Sequence, residues 1–89
     1  MYTVIATAPT AYQSSSLKHF NLPIKKHGDG SLSASESFAT EQEAKNFLKQ
    51  RAELYYDQYE GQVDEHIEEI EKFGSLTIDA ATARIIENL

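Results

Sequence analysis

From Tyr2 to Thr7 the side chains alternate, with Tyr2, Val4 and Ala6 on one face and Thr3, Ile5 and Thr7 on the other. The pattern, rich in β-branched residues, predicts a strand. Residues 8–20, with Pro9 and the serines 14–16, read as a connection with room for one serine-capped helical turn between Ser14 and Phe20. Residues 21–27 read as extended, because Pro23 disfavours both a helix and a central place in a sheet. His27-Gly28-Asp29-Gly30-Ser31 then sets glycines on both sides of an aspartate, the composition of a tight hairpin turn. After it Leu32, Ala34, Glu36 and Phe38 alternate with serines at 31, 33, 35 and 37, which predicts a strand with one hydroxyl-lined face.

Thr40-Glu41-Gln42-Glu43 is a capping box: the threonine hydroxyl accepts from the third helical amide, and Glu43 reaches back to the cap. Beyond it Ala44, Phe47, Leu48 and Ala52, then Tyr56, Tyr59, Val63, Ile67, Ile70 and Phe73, recur at helical spacing until Gly74 stops the pattern. The period runs through Gly61, which falls on the outer face at a cost of about 1 kcal/mol relative to alanine. One continuous helix is therefore expected ahead of the alternative, two separate helices. At 1.5 Å per residue it would be about 48 Å long, whereas a compact chain of this size is about 30 Å across. It must bend near Gly61, or protrude and pair with another chain. In the tail, helical spacing groups Ile78, Ala81, Thr82, Ile85 and Leu89, while one unbroken strand would align Arg84 with Leu76 and Ile78. A final helix over about 78–88, capped by Thr77 or Asp79, is the better match. The expected architecture is a single α+β domain over residues 1–89: a small antiparallel sheet of about three strands, one long acidic helix and a short C-terminal helix.

At 89 residues the chain has little core to spare, and it contains no cysteine for staples, thiolate zinc sites or nucleophiles. No apolar run approaches the roughly 18 residues of a membrane span, and the first residues lack a basic signal-peptide segment, so a cytoplasmic location is expected. The net charge of −6 is concentrated. Residues 41–72 hold ten acids and four bases, and the remainder holds four of each. Between Glu53 and Glu71 there are eight carboxylates and no lysine or arginine. On one helix Glu53, Asp57, Glu60, Asp64, Glu68 and Glu71 would line up as a stripe with neighbours about 5–6 Å apart. Such a stripe repels nucleic acid and anionic membrane and attracts basic protein surfaces.

Catalytic chemistry finds little support. No nucleophile elbow is present, and His27, Asp29 and Ser31 are too close on one hairpin to form a triad. Gly28 and Gly30 belong to a turn rather than a phosphate loop. His19, His27 and His66 lie in different elements, so no metal site, cofactor or catalytic residue is expected; His66 with Gln62 and Glu69 gives at most half a site. Asp29 to Ser33 lacks the second acid and closing glutamate of a calcium loop.

The reading that remains is a non-enzymatic acidic binding protein. Its contact residues would be Glu53, Asp57, Glu60, Asp64, Glu68 and Glu71, with Tyr55 and Tyr59 as amphipathic anchors. The expected partner is a basic protein, such as one that binds nucleic acid, whose groove the carboxylate ladder would block. In size and charge the chain resembles small acidic inhibitors of phages and mobile elements, anti-restriction and anti-CRISPR proteins among them, and also some antitoxins and immunity proteins. That likeness is one of type and rests on no shared motif. The alternative is a structural or assembly subunit that forms a homodimer through its long helix, with the acids serving only solubility.

Overall fold

The computed structural model describes residues 1–8, 11–56 and 62–88. It is an α+β fold. The first strand, β1 (Tyr2–Thr7), lies at the centre of a five-stranded antiparallel sheet. It is flanked by β3 (Leu32–Phe38) and β5 (Ala81–Glu87), with β2 (Ile24–Lys26) and β4 (Ser75–Ile78) at the edges, giving the order β2-β3-β1-β5-β4. A 3-10 helix over Ala11–Phe20 joins β1 to β2; α1 (Glu41–Tyr56) and α2 (Gln62–Phe73) lie between β3 and β4.

Local chemistry accounts for most boundaries. The alternation in β1 buries Val4 and Ala6 completely. The β2–β3 turn closes through His27 N to the Ser31 carbonyl, and Asp29 accepts from the Ser31 amide at 2.9 Å, an Asx turn. The Ser31 hydroxyl and amide also hold the Asp29 carboxyl below its ordinary range. Thr40 caps α1 as expected, its hydroxyl accepting from Glu43 N at 3.1 Å. Gly74, at φ 63, closes α2 by donating to the Ile70 carbonyl.

Two long-range expectations are corrected. The helix is not continuous: α1 ends at Tyr56, α2 begins at Gln62, and the two pack against each other. Residues 57–61, including Gly61, are outside the described residues. Among the described residues the helical hairpin buries Ala44, Leu48, Ala52 and Ile70 of the apolar stripe within one chain and half-buries Val63 and Ile67. The Cα extents are 39 × 32 × 17 Å.

The tail is not a helix. Its two strands, β4 and β5, pair from Ser75↔Arg84 to Ile78↔Ala81 around a two-residue turn. Asp79 occupies that turn at φ 55, a left-handed conformation that aspartate tolerates better than most residues. The turn resets the strand parity. Leu76 and Ile78 face inward before it, and Ala81, Ala83 and Ile85 after it, so Arg84 points to the opposite side. Buried Ser16 fixes the turn, donating to the Asp79 carboxylate at 3.0 Å and accepting from Ala80 N.

Cross-strand register places Ala34, Ala6 and Ala83 side by side on the inner face. Ala44, Leu48 and Ala52 of α1 share one buried cluster with them, and Cα atoms of α1 approach within 8 Å of those in β1, β3, β4 and β5. Leu17, Phe20 and Leu22 complete the core at the 3-10 end. Phe73, expected on the buried stripe, is 75% exposed because α2 ends beyond the sheet contact.

Two substitutions test this account by urea unfolding. Ala6→Leu inserts volume beneath α1 and is expected to cost about 1–3 kcal/mol. Thr40→Ala removes the cap and is expected to cost about 1 kcal/mol.

Candidate protein-binding surface

The acidic residues that the sequence places on one ridge are divided between two helices. Glu53 is exposed near the end of α1; Asp64, Glu68 and Glu71 are exposed on α2. Asp57, Tyr59 and Glu60 fall outside the described residues. Within α2 the expected spacing holds, since Asp64, Glu68 and Glu71 follow steps of four and three on one side of the helix.

Not all of these carboxylates are free. The antiparallel hairpin brings the lysines of α1 against the C-terminal end of α2. Lys49 Nζ donates to the Glu71 carboxylate. Lys45 Nζ lies 3.0 Å from Glu41 and 3.8 Å from Glu71, and donates to the Glu71 carbonyl at 3.3 Å. Glu41, Lys45 and Glu71 line a cleft of about 260 Å³ with Tyr2, Lys72 and Gly74. The Lys49 hydrogen bond and charge hold the Glu71 carboxyl below its ordinary range, and the bond to Glu41 holds Lys45 above its own. Glu68 pairs with Lys72 at 2.9 Å, one turn on. Glu71 is therefore structural, a correction to its place in an outward ladder. Asp64 and Glu53 make no ion pair among the described residues.

Glu65 belongs with Asp64. It is exposed in the first turn of α2, and the helix as a whole carries five carboxylates against one lysine. On a helix continuous through Gly61, Glu65 lies off the stripe from Glu53 to Glu71; the start of α2 at Gln62 is what sets it beside Asp64 in a first turn.

The expected anchor Tyr55 is half-buried. Its ring meets His19 and Tyr56 edge-on, with centroids 4.8 Å apart in each case. Tyr56 stacks on His66 at 3.9 Å and donates to the Thr77 carbonyl, joining α1 to α2 and β4; burial raises its phenol pKa. The His66 ring is thus occupied by packing, with Nδ1 buried and lacking a hydrogen-bond partner. His27 Nε2 pairs with the Ser33 hydroxyl at 2.7 Å. Among the described residues no three His, Asp or Glu side chains converge as a metal site, and no helix is long and apolar enough to cross a membrane.

The sheet face turned away from the helices has the opposite character. Register places Thr3, Thr7, Ser33, Ser35, Ser37, Ser75, Thr77 and Thr82 on it, with Ile5, Ile86, Lys25 and Arg84. Among the described strand residues it bears no carboxylate.

No family model, curated protein or solved structure matches the chain.

Because folding lowers the Glu71 pKa, its contribution to stability is complete above the ordinary glutamate value. It is lost as pH falls through the depressed folded value. A carboxyl NMR titration is expected to place the Glu71 midpoint below that of an unstructured glutamate. Lys49→Met should move it upward; an unchanged midpoint would mean that the hairpin ion pair is absent in solution.

Proposed function

We propose that this is a non-enzymatic binding protein whose acidic helical hairpin docks on a basic surface of another protein, of the kind that handles nucleic acid. The observation that carries the reading is the exposed carboxylate group at the start of α2. Asp64, Glu65 and Glu68 project from consecutive turns, and no lysine of α1 reaches the first two. Glu53 adds a carboxylate on the neighbouring helix. Within α2, acids four residues apart repel one another and slightly weaken the helix. A cationic partner removes that repulsion on binding, so part of the docking energy comes from relieving a cost already present in the free protein.

The docking surface in this reading is a compact end of a hairpin rather than a long rod. It suits a basic patch or the mouth of a groove, and its attraction is long-range and screened by salt. Blocking such a patch is the inhibitory role, and a cytoplasmic setting is where basic nucleic-acid enzymes are met. The homodimer alternative has less apolar surface to draw on than a straight helix would offer, because Ile70 is fully buried and Tyr56 is bonded to β4 within the chain.

The test is retention of proteins from a bacterial lysate on the immobilised chain at low and at high ionic strength. Basic nucleic-acid-binding proteins are expected at low salt and should wash off as salt rises. The triple variant Asp64→Lys, Glu65→Lys, Glu68→Lys should keep the wild-type circular dichroism yet retain them about tenfold less or worse, as charge reversal at an electrostatic interface requires. Equal retention by wild type and variant would sink the reading.

A further inference from the structure

The sheet is incomplete on its β2 side. β2 pairs with β3 only from Ile24↔Ala34 to Lys26↔Leu32. One further bond follows, from Ser35 N to the Pro23 carbonyl at 3.2 Å. In an antiparallel ladder this pair would exchange two bonds, but proline has no N–H to return. The Ser35 carbonyl is left without that partner. Asn21, at φ 53, then breaks the extended run. By the same alternation the Ser37 amide and carbonyl also point outward, where no strand runs among the described residues. Pro23 still covers the edge at Ser35, so the two main-chain groups of Ser37 are what β3 presents there.

Beside this edge lies a cavity of about 370 Å³ lined by Phe38, Glu43, Asn46, Phe47 and Gln50. Phe38 and Phe47 form its apolar wall, with ring centroids 5.4 Å apart and planes tilted by 41°. Glu36 lies on the same face of β3 as Phe38, because it pairs with inward-facing Val4. Both Glu36 and Glu43 are exposed, and neither makes an ion pair among the described residues.

We infer that this notch receives an extended segment of a partner protein, added as a short stretch of strand beside Ser37 and Phe38. One apolar side chain of the segment sits against Phe38 and Phe47, and a lysine or arginine lies beside Glu36 or Glu43. Each element of the match has its own cause. Unpaired edge groups call for a backbone in extended form, and alternation along the added strand directs every second side chain into the cavity. The aromatic wall selects an apolar group, and the two carboxylates select a basic one. A second copy of this chain is a poor occupant, because edge-to-edge pairing at Ser37 would bring both copies' Glu36 and Glu43 together. The site is separate from the start of α2 and does not depend on the function proposed above.

The experiment is selection from a random-peptide library displayed on phage, followed by NMR titration of the synthetic winners into the labelled full chain. Enriched peptides should place an aromatic or aliphatic residue with lysine or arginine at the next same-face position. They should shift the amide signals of Ser37, Phe38 and Phe47 and slow hydrogen exchange at Ser37. Glu43→Lys, at an exposed site, should weaken binding about tenfold. Phe47→Ala should weaken it further, and the exposed variant keeps the test meaningful if Phe47→Ala fails to fold. The inference is overturned by an absence of enrichment, by binding that leaves Ser37 unmoved or is indifferent to Glu43→Lys, or by self-association through the notch in place of peptide binding.

Discussion

The close seating of α1 on a floor of alanines is the constraint from which the rest of this structure follows. Ala34, Ala6 and Ala83 come from three strands and are brought level by register, and Ala44 and Ala52 answer them from the helix. Small side chains on both sides let the layers approach until little space remains, which suits a chain with few large core residues to spend. Leu48, Leu17, Phe20, Ile70, Leu76 and Ile78 supply the large side chains of the same cluster. Once α1 is fixed there, α2 has one apolar flank left to cover, and the hairpin follows.

That arrangement also sorts the charge. The first part of α1 carries Lys45 and Lys49 on the side that α2 meets, so they bind Glu71 and anchor the far end of the hairpin. The acids at the start of α2 lie beyond their reach. The fold therefore divides one acidic stretch into a neutralised end, which holds structure, and an unneutralised end, which is open to a cation from elsewhere. Attraction between unlike charges serves the fold at one end and is left available at the other.

Features set by neighbouring residues were legible in the sequence: the alternation of β1, the glycine-flanked turn at Asp29, the Thr40 cap and the stop at Gly74. Each depends on chemistry within a few positions. What was not legible depended on partners distant in sequence. The apolar period passes through residues 57–61 without a mark, because a hairpin and a straight helix both need that stripe buried. The tail misled for a different reason. The turn at Asp79 reverses strand parity, and a single unbroken alternation from Ser75 onward cannot express that reversal, whereas helical spacing groups the same apolar residues without it. The lysines that capture Glu71 lie more than twenty residues upstream, so a search confined to the acidic stretch could not find them.

The central position of β1 has a consequence for how the protein is made. Its neighbour β5 follows every other element in the chain, and the Thr3 hydroxyl donates to Asn88 across a separation of 85 residues. During synthesis β1 leaves the ribosome with one edge vacant and must wait for β5 before that edge can be filled. Until then the strand is exposed to wrong pairings. A chaperone that shields the single apolar segment Tyr2–Thr7 over that interval would guard the centre of the sheet.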